Sequence, residues 1–286
     1  GRIQHKLLAA FVPGAESDYV AVLLTGSGTA AVESAVMSCL PMAKRMLVIN
    51  NGVYGERLSS MVGLHRLGVS ELKSEWHIKP DPERVRLALR QHPEVHAVSM
   101  VHHETTTGLI NPVKEIAEVA DSLNRVFVLD SVSGLGGEPI DIAGSHIYMV
   151  AGTAGKCIQG FPGVSFVLLR KGFLERMRQY PKRSWYLHLT HYVDDQGRGT
   201  IPFTPAVQVY YGFDEALSEL LEEFGGRQFA PFARRTVWAP AINAYWERHR
   251  ITICAELAGV EKKSIRLTRD DTAGFAFQAL SALGAD

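Results

Sequence analysis

A chain of 286 residues with 46% hydrophobic content is long enough to bury a sizeable core as one large α/β domain plus a smaller one. Its 30 lysines and arginines balance its 30 aspartates and glutamates, and no long basic run stands out, which argues against a nucleic-acid or membrane-surface partner. No apolar stretch reaches the roughly 18–20 residues of a spanning helix and no signal peptide opens the sequence, while Cys39, Cys157 and Cys254 are odd in number, widely spaced, and read as reduced thiols of a cytoplasmic protein.

In chain order, Val20–Leu24 reads as a short buried strand, followed by the turn Thr25-Gly-Ser-Gly28 and a helix over Thr29–Leu40. Arg45–Asn50 is the next strand and Gly55–Leu67 the next helix. The pattern then predicts a strand over Val69–Lys73, a helix over Asp81–Arg90 and a strand over Val95–His102. Pro112 precedes a helix over Val113–Leu123, and Val126–Asp130, His146–Val150 and Val164–Leu169 are further strands. Apolar strands alternating with helices imply α/β architecture: a mostly parallel sheet covered by helices on both faces. Ligands of such sheets bind beyond the C-terminal ends of the strands. Ser27, Thr105, Asp130 and Lys156 all fall there. After about residue 205 the character changes. Val207–Phe224 reads as a long amphipathic helix and the remainder as helical with little strand signal, so residues 1–205 are expected to form the large domain and 206–286 a smaller C-terminal one.

The chemistry-bearing residues follow the strands. Thr25-Gly-Ser-Gly-Thr29 lets backbone N–H groups converge at a helix N-terminus, a setting suited to a phosphate. Ser27 and Thr29 add hydroxyl donors, although either would also serve as a plain N-cap. Neither the third glycine of a dinucleotide fingerprint nor a Gly-Lys-Ser/Thr sequel is present, so a Rossmann cofactor and a P-loop are both disfavoured. Asn50-Asn-Gly-Val-Tyr-Gly-Glu-Arg57 places Tyr54 at the same sheet edge, as a ring-stacking face or as a core tyrosine at a helix start. His102-His-Glu-Thr-Thr-Thr-Gly108 holds two histidines and a glutamate of metal-ligating type, but neighbouring strand residues point to opposite faces, and no metal is expected. Its threonines suit a polar loop that hydrogen-bonds a cofactor. Asp130 ends a buried strand on a carboxylate, and Lys156 lies in the small-residue loop Ala151-Gly-Thr-Ala-Gly-Lys-Cys-Ile-Gln-Gly-Phe-Pro-Gly163. Such a loop can desolvate an amine and favour its nucleophilic form. An anion for a pyridine nitrogen and an amine for an aldehyde together meet the needs of pyridoxal phosphate.

These motifs, with Leu129-Asp-Ser-Val132, Lys156-Cys-Ile-Gln-Gly160 and Phe203-Thr-Pro205, resemble the class V, fold-type I pyridoxal phosphate aminotransferases. The branch they look most like is the 2-aminoethylphosphonate–pyruvate enzymes, and the resemblance spans roughly residues 20–220. It implies that Lys156 carries the cofactor and shuttles the proton, and that Asp130 partners the protonated pyridine nitrogen. Ser27, Gly28 and Thr29 would form the phosphate cup, with Tyr54 stacked on the ring and Thr105 hydrogen-bonded to the cofactor. Thr204 would reach the phosphate of the neighbouring subunit, which implies a homodimer with shared active sites. Three features depart from the family. Gly155 stands where relatives carry Asn or Gln, the chain opens on what looks like the family's second helix, and Arg234–Asp286 holds no recognisable arginine clamp for the substrate's acidic group. The function implied is transfer of an amino group from 2-aminoethylphosphonate to pyruvate. Alternatives are an alanine- or serine–glyoxylate type of aminotransferase and a catalytically silent cofactor-binding relative. A cysteine desulfurase would need a persulfide-forming cysteine on a mobile loop, whereas Cys157 beside the lysine reads as packed under the cofactor.

Overall fold

The structure, a computed structural model, describes residues 1–76 and 78–223 and, beyond them, the backbone of three strands between residues 242 and 268. Helix α1 (Arg2–Phe11) leads into β1 (Tyr19–Thr25), α2 (Gly28–Ser38), β2 (Arg45–Asn50), α3 (Val53–Leu64) and β3 (Gly68–Lys73). Next come α4 (Pro82–Gln91), β4 (Val95–Val101), the short hairpin β5 (His103–Glu104) and β6 (Leu109–Ile110), α5 (Val113–Ser122) and β7 (Val126–Asp130). Then follow β8 (Met149–Thr153), β9 (Val164–Arg170), α6 (Lys171–Arg178), α7 (Leu189–Gly197) and α8 (Val207–Glu223). The local signals behind these elements are ordinary ones. At α4, for example, Asp81 caps the helix by accepting from the Glu83 N–H at 2.9 Å, and Pro82 occupies the first turn, where a missing donor costs nothing.

The main sheet has seven strands in the order β1-β9-β8-β7-β4-β2-β3. Within it β9 runs against both neighbours and the remaining pairings are parallel, so β1, β8, β7, β4, β2 and β3 all point the same way. Period-two alternation sorts side chains onto two faces. Leu47 and Ile49 of β2 join one buried cluster with α1, α4, α5 and α8, while Met46 and Val48 join the other with α2, α3, α6 and α7. Phe166 on β9 is stacked between Phe11 of α1 and Phe213 of α8, with ring centroids 6.2 and 5.9 Å apart. Burying each such side chain contributes about 1.5–3 kcal/mol, and Leu7, Leu217 and Leu220 of the same helices are buried in the same cluster. Lys6 adds an ion pair to Asp214 at 2.9 Å that ties the same two helices.

Two expectations need correction. Strand β8 starts at Met149 rather than His146, because His146 adopts a left-handed turn (φ 55) and Ile147 N–H bonds the Ile142 carbonyl in the preceding turn. The apolar pair Ile147-Tyr148 looks like strand but is spent partly on the approach. The second correction concerns the C-terminal region, expected to be helical. It contains β10 (Ile242–Glu247), β11 (Arg250–Ala255) and β12 (Lys263–Thr268) in an antiparallel sheet, with Glu247 opposite Arg250 and Arg250 opposite Thr268. The β-branched run Ile251-Thr-Ile253 is the sequence signal for β11.

Candidate active site

The parallel strands deliver their C-terminal ends to one edge of the sheet, where a cavity of about 340 Å³ opens. Ser27, Gly28, Thr29, Tyr54, Asp130 and Lys156 all border it. Four of the six stretches singled out in the sequence therefore converge on it, and two residues, Thr105 and Thr204, do not. Thr105 is exposed beside the cavity, and its hydroxyl donates to Ser133 Oγ at 3.0 Å; Ser133 itself is in the wall. Thr204 is exposed and lies outside the cavity.

Ser27 occupies the N-cap position of α2, yet its side chain makes no capping hydrogen bond, and the first turn holds no acidic residue. The hydroxyl and the helix start thus remain available to an anion. Gly28 must be glycine for a local reason: a Cβ there would meet Val132 Cγ1 at 2.6 Å. That close approach brings the helix start against the loop that follows β7. Gly26 N–H, bonded to the Gly163 carbonyl at 2.8 Å, ties the same turn to the far end of the lysine loop.

Asp130 is buried at the end of β7 and accepts the Val132 N–H at 3.0 Å. Burial pushes its carboxyl up from 3.8 to about 6; the Val132 N–H works against this, Glu104 adds to it, and Arg57 opposes it. A carboxylate so desolvated has an unmet demand for a cationic or N–H partner. A protonated pyridine nitrogen would meet it.

Lys156 follows β8 in a loop closed by Gln159 N–H to the Lys156 carbonyl (2.9 Å) and Gly160 N–H to the Ala154 carbonyl (2.8 Å). Its side chain is exposed at the cavity, so the described residues do not supply the desolvation expected of the loop. Pro162 packs over Gly155, whose Cβ would lie 3.0 Å from Pro162 Cα; this is a steric account of the glycine at that position. Cys157 packs against the neighbouring turn, its Sγ donating to the Ser133 carbonyl at 3.4 Å.

Sequence reasoning passed over Glu104. It is fully buried, and its Oε1 accepts from Tyr54 N–H at 3.2 Å and Thr106 Oγ1 at 2.8 Å, while Oε2 accepts from Gly55 N–H at 3.2 Å. One carboxylate from β5 thereby caps the start of α3, the helix that presents Tyr54 to the cavity. A Cβ on Gly52 would fall 2.2 Å from Glu104 Cγ, so the glycine is what lets the carboxylate in. Gly52→Ala is expected to lower stability by about 1–3 kcal/mol, through overpacking and loss of buried hydrogen bonds, as read by denaturant unfolding. The preceding histidines divide between two environments, His102 in the bend between β4 and β5 and His103 at the start of β5. His102, pushed down to about 3 by burial, meets Ser131 Oγ at 2.8 Å, whereas His103 borders the cavity. Among the described residues no group of three or more His, Cys, Asp or Glu could hold a metal, and no helix is long and apolar enough to cross a membrane.

A buried carboxylate, a lysine and a helix start with a free hydroxyl, spaced around one cavity, are the groups that could hold a pyridoxal phosphate ring, aldehyde and phosphate. The sequence profile of the family described as Aminotransferase class-V matches residues 6–230. The chain is 40% identical over 228 residues to the 2-aminoethylphosphonate–pyruvate transaminase of Syntrophobacter fumaroxidans, covering 78% of this chain and 60% of that one. It is 37% identical over 211 residues to the enzyme of the same name from Lysinibacillus sphaericus, covering 73% of this chain and 57% of that one. The chain thus spans 60% and 57% of these curated relatives' lengths. Among solved structures, an alanine–glyoxylate aminotransferase from Nostoc sp. superposes with a TM-score of 0.75 at 22% identity, over 91% of this chain and 71% of that one. The ureidoglycine–glyoxylate aminotransferase of Bacillus subtilis gives 0.74 at 20% identity, over 99% and 73%. The fold is the one these aminotransferases share, and on the profile match and the identity to its relatives the chain belongs to the class-V aminotransferase family.

Proposed function

We propose that the protein binds pyridoxal phosphate and moves an amino group from 2-aminoethylphosphonate to pyruvate, giving phosphonoacetaldehyde and L-alanine. The observation that carries this reading is the convergence of Lys156, Asp130 and Ser27–Thr29 on one cavity. The relatives' names supply the substrate pair. When bound, pyridoxal phosphate supplies an electron sink for the carbon that bears the amino group. The chain's own residues do the rest. The Lys156 amine would hold the cofactor at its aldehyde carbon and would carry the proton of the reacting carbon. Asp130 would keep a proton at the ring nitrogen. Ser27, Thr29 and the first N–H groups of α2 would hold the phosphate, Tyr54 would offer its ring as a stacking face, and Thr105, beside the cavity, would be a hydrogen-bond donor to the cofactor. The purified protein should show a visible absorbance band that borohydride erases. Adding 2-aminoethylphosphonate should bleach it; a band that responds to alanine or serine but not to this amine would sink the substrate assignment.

This reading includes a large domain over 1–205 and a smaller one from 206, a cytoplasmic location, and a homodimer in which Thr204 completes the partner's phosphate cup. The exposure of Thr204, away from its own cavity, supports the shared site. A charge-assisted phosphate hydrogen bond is worth on the order of 1.5–3 kcal/mol, so Thr204→Ala should weaken cofactor binding about ten- to a hundred-fold. Mixing Thr204→Ala with Lys156→Ala protein tests the arrangement. Action across the interface puts both lesions into the Lys156→Ala chain's site and leaves the other site whole. The mixture should regain one tight, active site per mixed dimer; only the weak binding of the Thr204→Ala parent would refute sharing.

A further inference from the structure

Tyr54 and Arg57 lie three residues apart on α3 and so share a face of it. The Arg57 guanidinium stands 4.7 Å from the centroid of the Tyr54 ring, which holds it by a cation–π contact. Both residues border the cavity, and the helix turn that carries them is pinned by Glu104. Arg57 is exposed, and among the described residues its N–H donors make no hydrogen bond or ion pair. Of the acidic groups nearby, Glu104 accepts from the α3 amides and Thr106, and Asp130, on which Arg57 acts through space without a hydrogen bond, is the carboxylate reserved for the ring nitrogen. Arg57 and Lys156 are the lysine and arginine side chains of the cavity wall. With Lys156 committed to an aldehyde, the guanidinium is, among the described residues of the wall, the cation left for a second anionic group. A guanidinium is planar and forked, suited to a phosphonate or carboxylate in bidentate contact.

We propose that Arg57 anchors the acid end of the substrate, the phosphonate of the amine donor and the carboxylate of the keto acid in turn. This rests on the activity proposed above. The amine and keto acid would occupy the same cavity beside Lys156 in alternate halves of the reaction, so one anchor on the same wall serves both. It also gives the Tyr54–Arg57 pairing a purpose, since the ring pre-orders a side chain that would otherwise lose rotamer freedom on binding.

Ethylphosphonate and propionate carry the acid groups without an amine or a ketone, so their binding requires no chemistry. Calorimetric titration of the cofactor-loaded wild type, Arg57→Gln and Arg57→Lys tests the proposal. Ethylphosphonate affinity should fall about ten- to a hundred-fold in Arg57→Gln and recover in part in Arg57→Lys. A parallel loss for propionate assigns Arg57 to both substrates, and a loss for ethylphosphonate alone assigns it to the donor. Cofactor affinity and the unfolding midpoint should match wild type, and both KM values should rise. Equal ethylphosphonate affinity in wild type and Arg57→Gln overturns the proposal, as does a loss confined to cofactor affinity. The titration reports on Arg57 even if the loaded protein does not transaminate. Absent turnover counts against the activity, and equal affinities count against Arg57 alone.

Discussion

Lys156→Ala is expected to remove the borohydride-sensitive band and all transamination while leaving the fold nearly untouched. The structural side of this expectation follows from the loop. Its closing bonds, Gln159 N–H to the Lys156 carbonyl at 2.9 Å and Gly160 N–H to the Ala154 carbonyl at 2.8 Å, use backbone that alanine keeps. The side chain itself is exposed and packs into neither buried cluster. Exposed substitutions away from caps and special backbone usually change stability within about 0.5 kcal/mol. The chemical side follows from position. Lys156 is the lysine that borders the cavity, and the others among the described residues are directed elsewhere, as with Lys6 on Asp214 and Lys171 on the Ser17 carbonyl. Removing the amine leaves, among the described residues of the cavity wall, no lysine for the aldehyde and takes away the base assigned to the substrate proton. Peptide mapping of the borohydride-reduced wild type checks the attachment directly. Cofactor fixed to a different lysine would overturn the assignment.

How legible this was in the sequence depended on the kind of information each residue carries. Strands β2, β7 and β9 were found almost to the residue, because central strands covered on both faces read as unbroken apolar runs. Strand β8 was misplaced at its start, since Ile147 and Tyr148 are as apolar as the strand they precede and burial alone does not tell turn from strand. Beyond residue 206, polar residues interleaved among Ile251, Ile253 and Ile265 broke the apolar runs, and the strands went unread. Ser27, Tyr54, Asp130 and Lys156 were legible because each follows an apolar strand, and parallel topology carries all such positions to one edge. Glu104 and Arg57 were not. The importance of Glu104 lies in contacts to amides 50 and 49 positions away, made possible by the missing Cβ of Gly52, and no local pattern encodes that meeting. Arg57 was visible as a motif residue, but its place on the cavity wall, held against the Tyr54 ring, is a property of the folded protein.

Asp130→Asn should separate two roles that the wild-type carboxylate combines. In the loaded protein, an anion beside a ring nitrogen raises that nitrogen's pKa by about 1–3 units, and asparagine forfeits this. At about 1.4 kcal/mol per unit, the single-turnover rate of proton abstraction should fall by one to three orders of magnitude. The fold should persist, because Asn keeps an oxygen for the Val132 N–H bonded at 3.0 Å. In the cofactor-free protein the same change should act in the opposite direction on stability. Burial raises the Asp130 carboxyl from 3.8 to about 6, so the folded state binds its proton more tightly than the unfolded state. The contribution is full below the unfolded value and is lost as pH rises through about 6. At pH 8 the wild type carries the whole cost of an ionised, buried carboxylate, an upper bound of about 3 kcal/mol from a shift of about two units. Cofactor-free Asp130→Asn should therefore unfold at higher denaturant than wild type at pH 8, with the gap closing towards pH 4. A wild-type turnover rate would refute the pairing with the ring nitrogen. A stability gap that is independent of pH would show that burial of the charge is not what Asp130 costs the empty site.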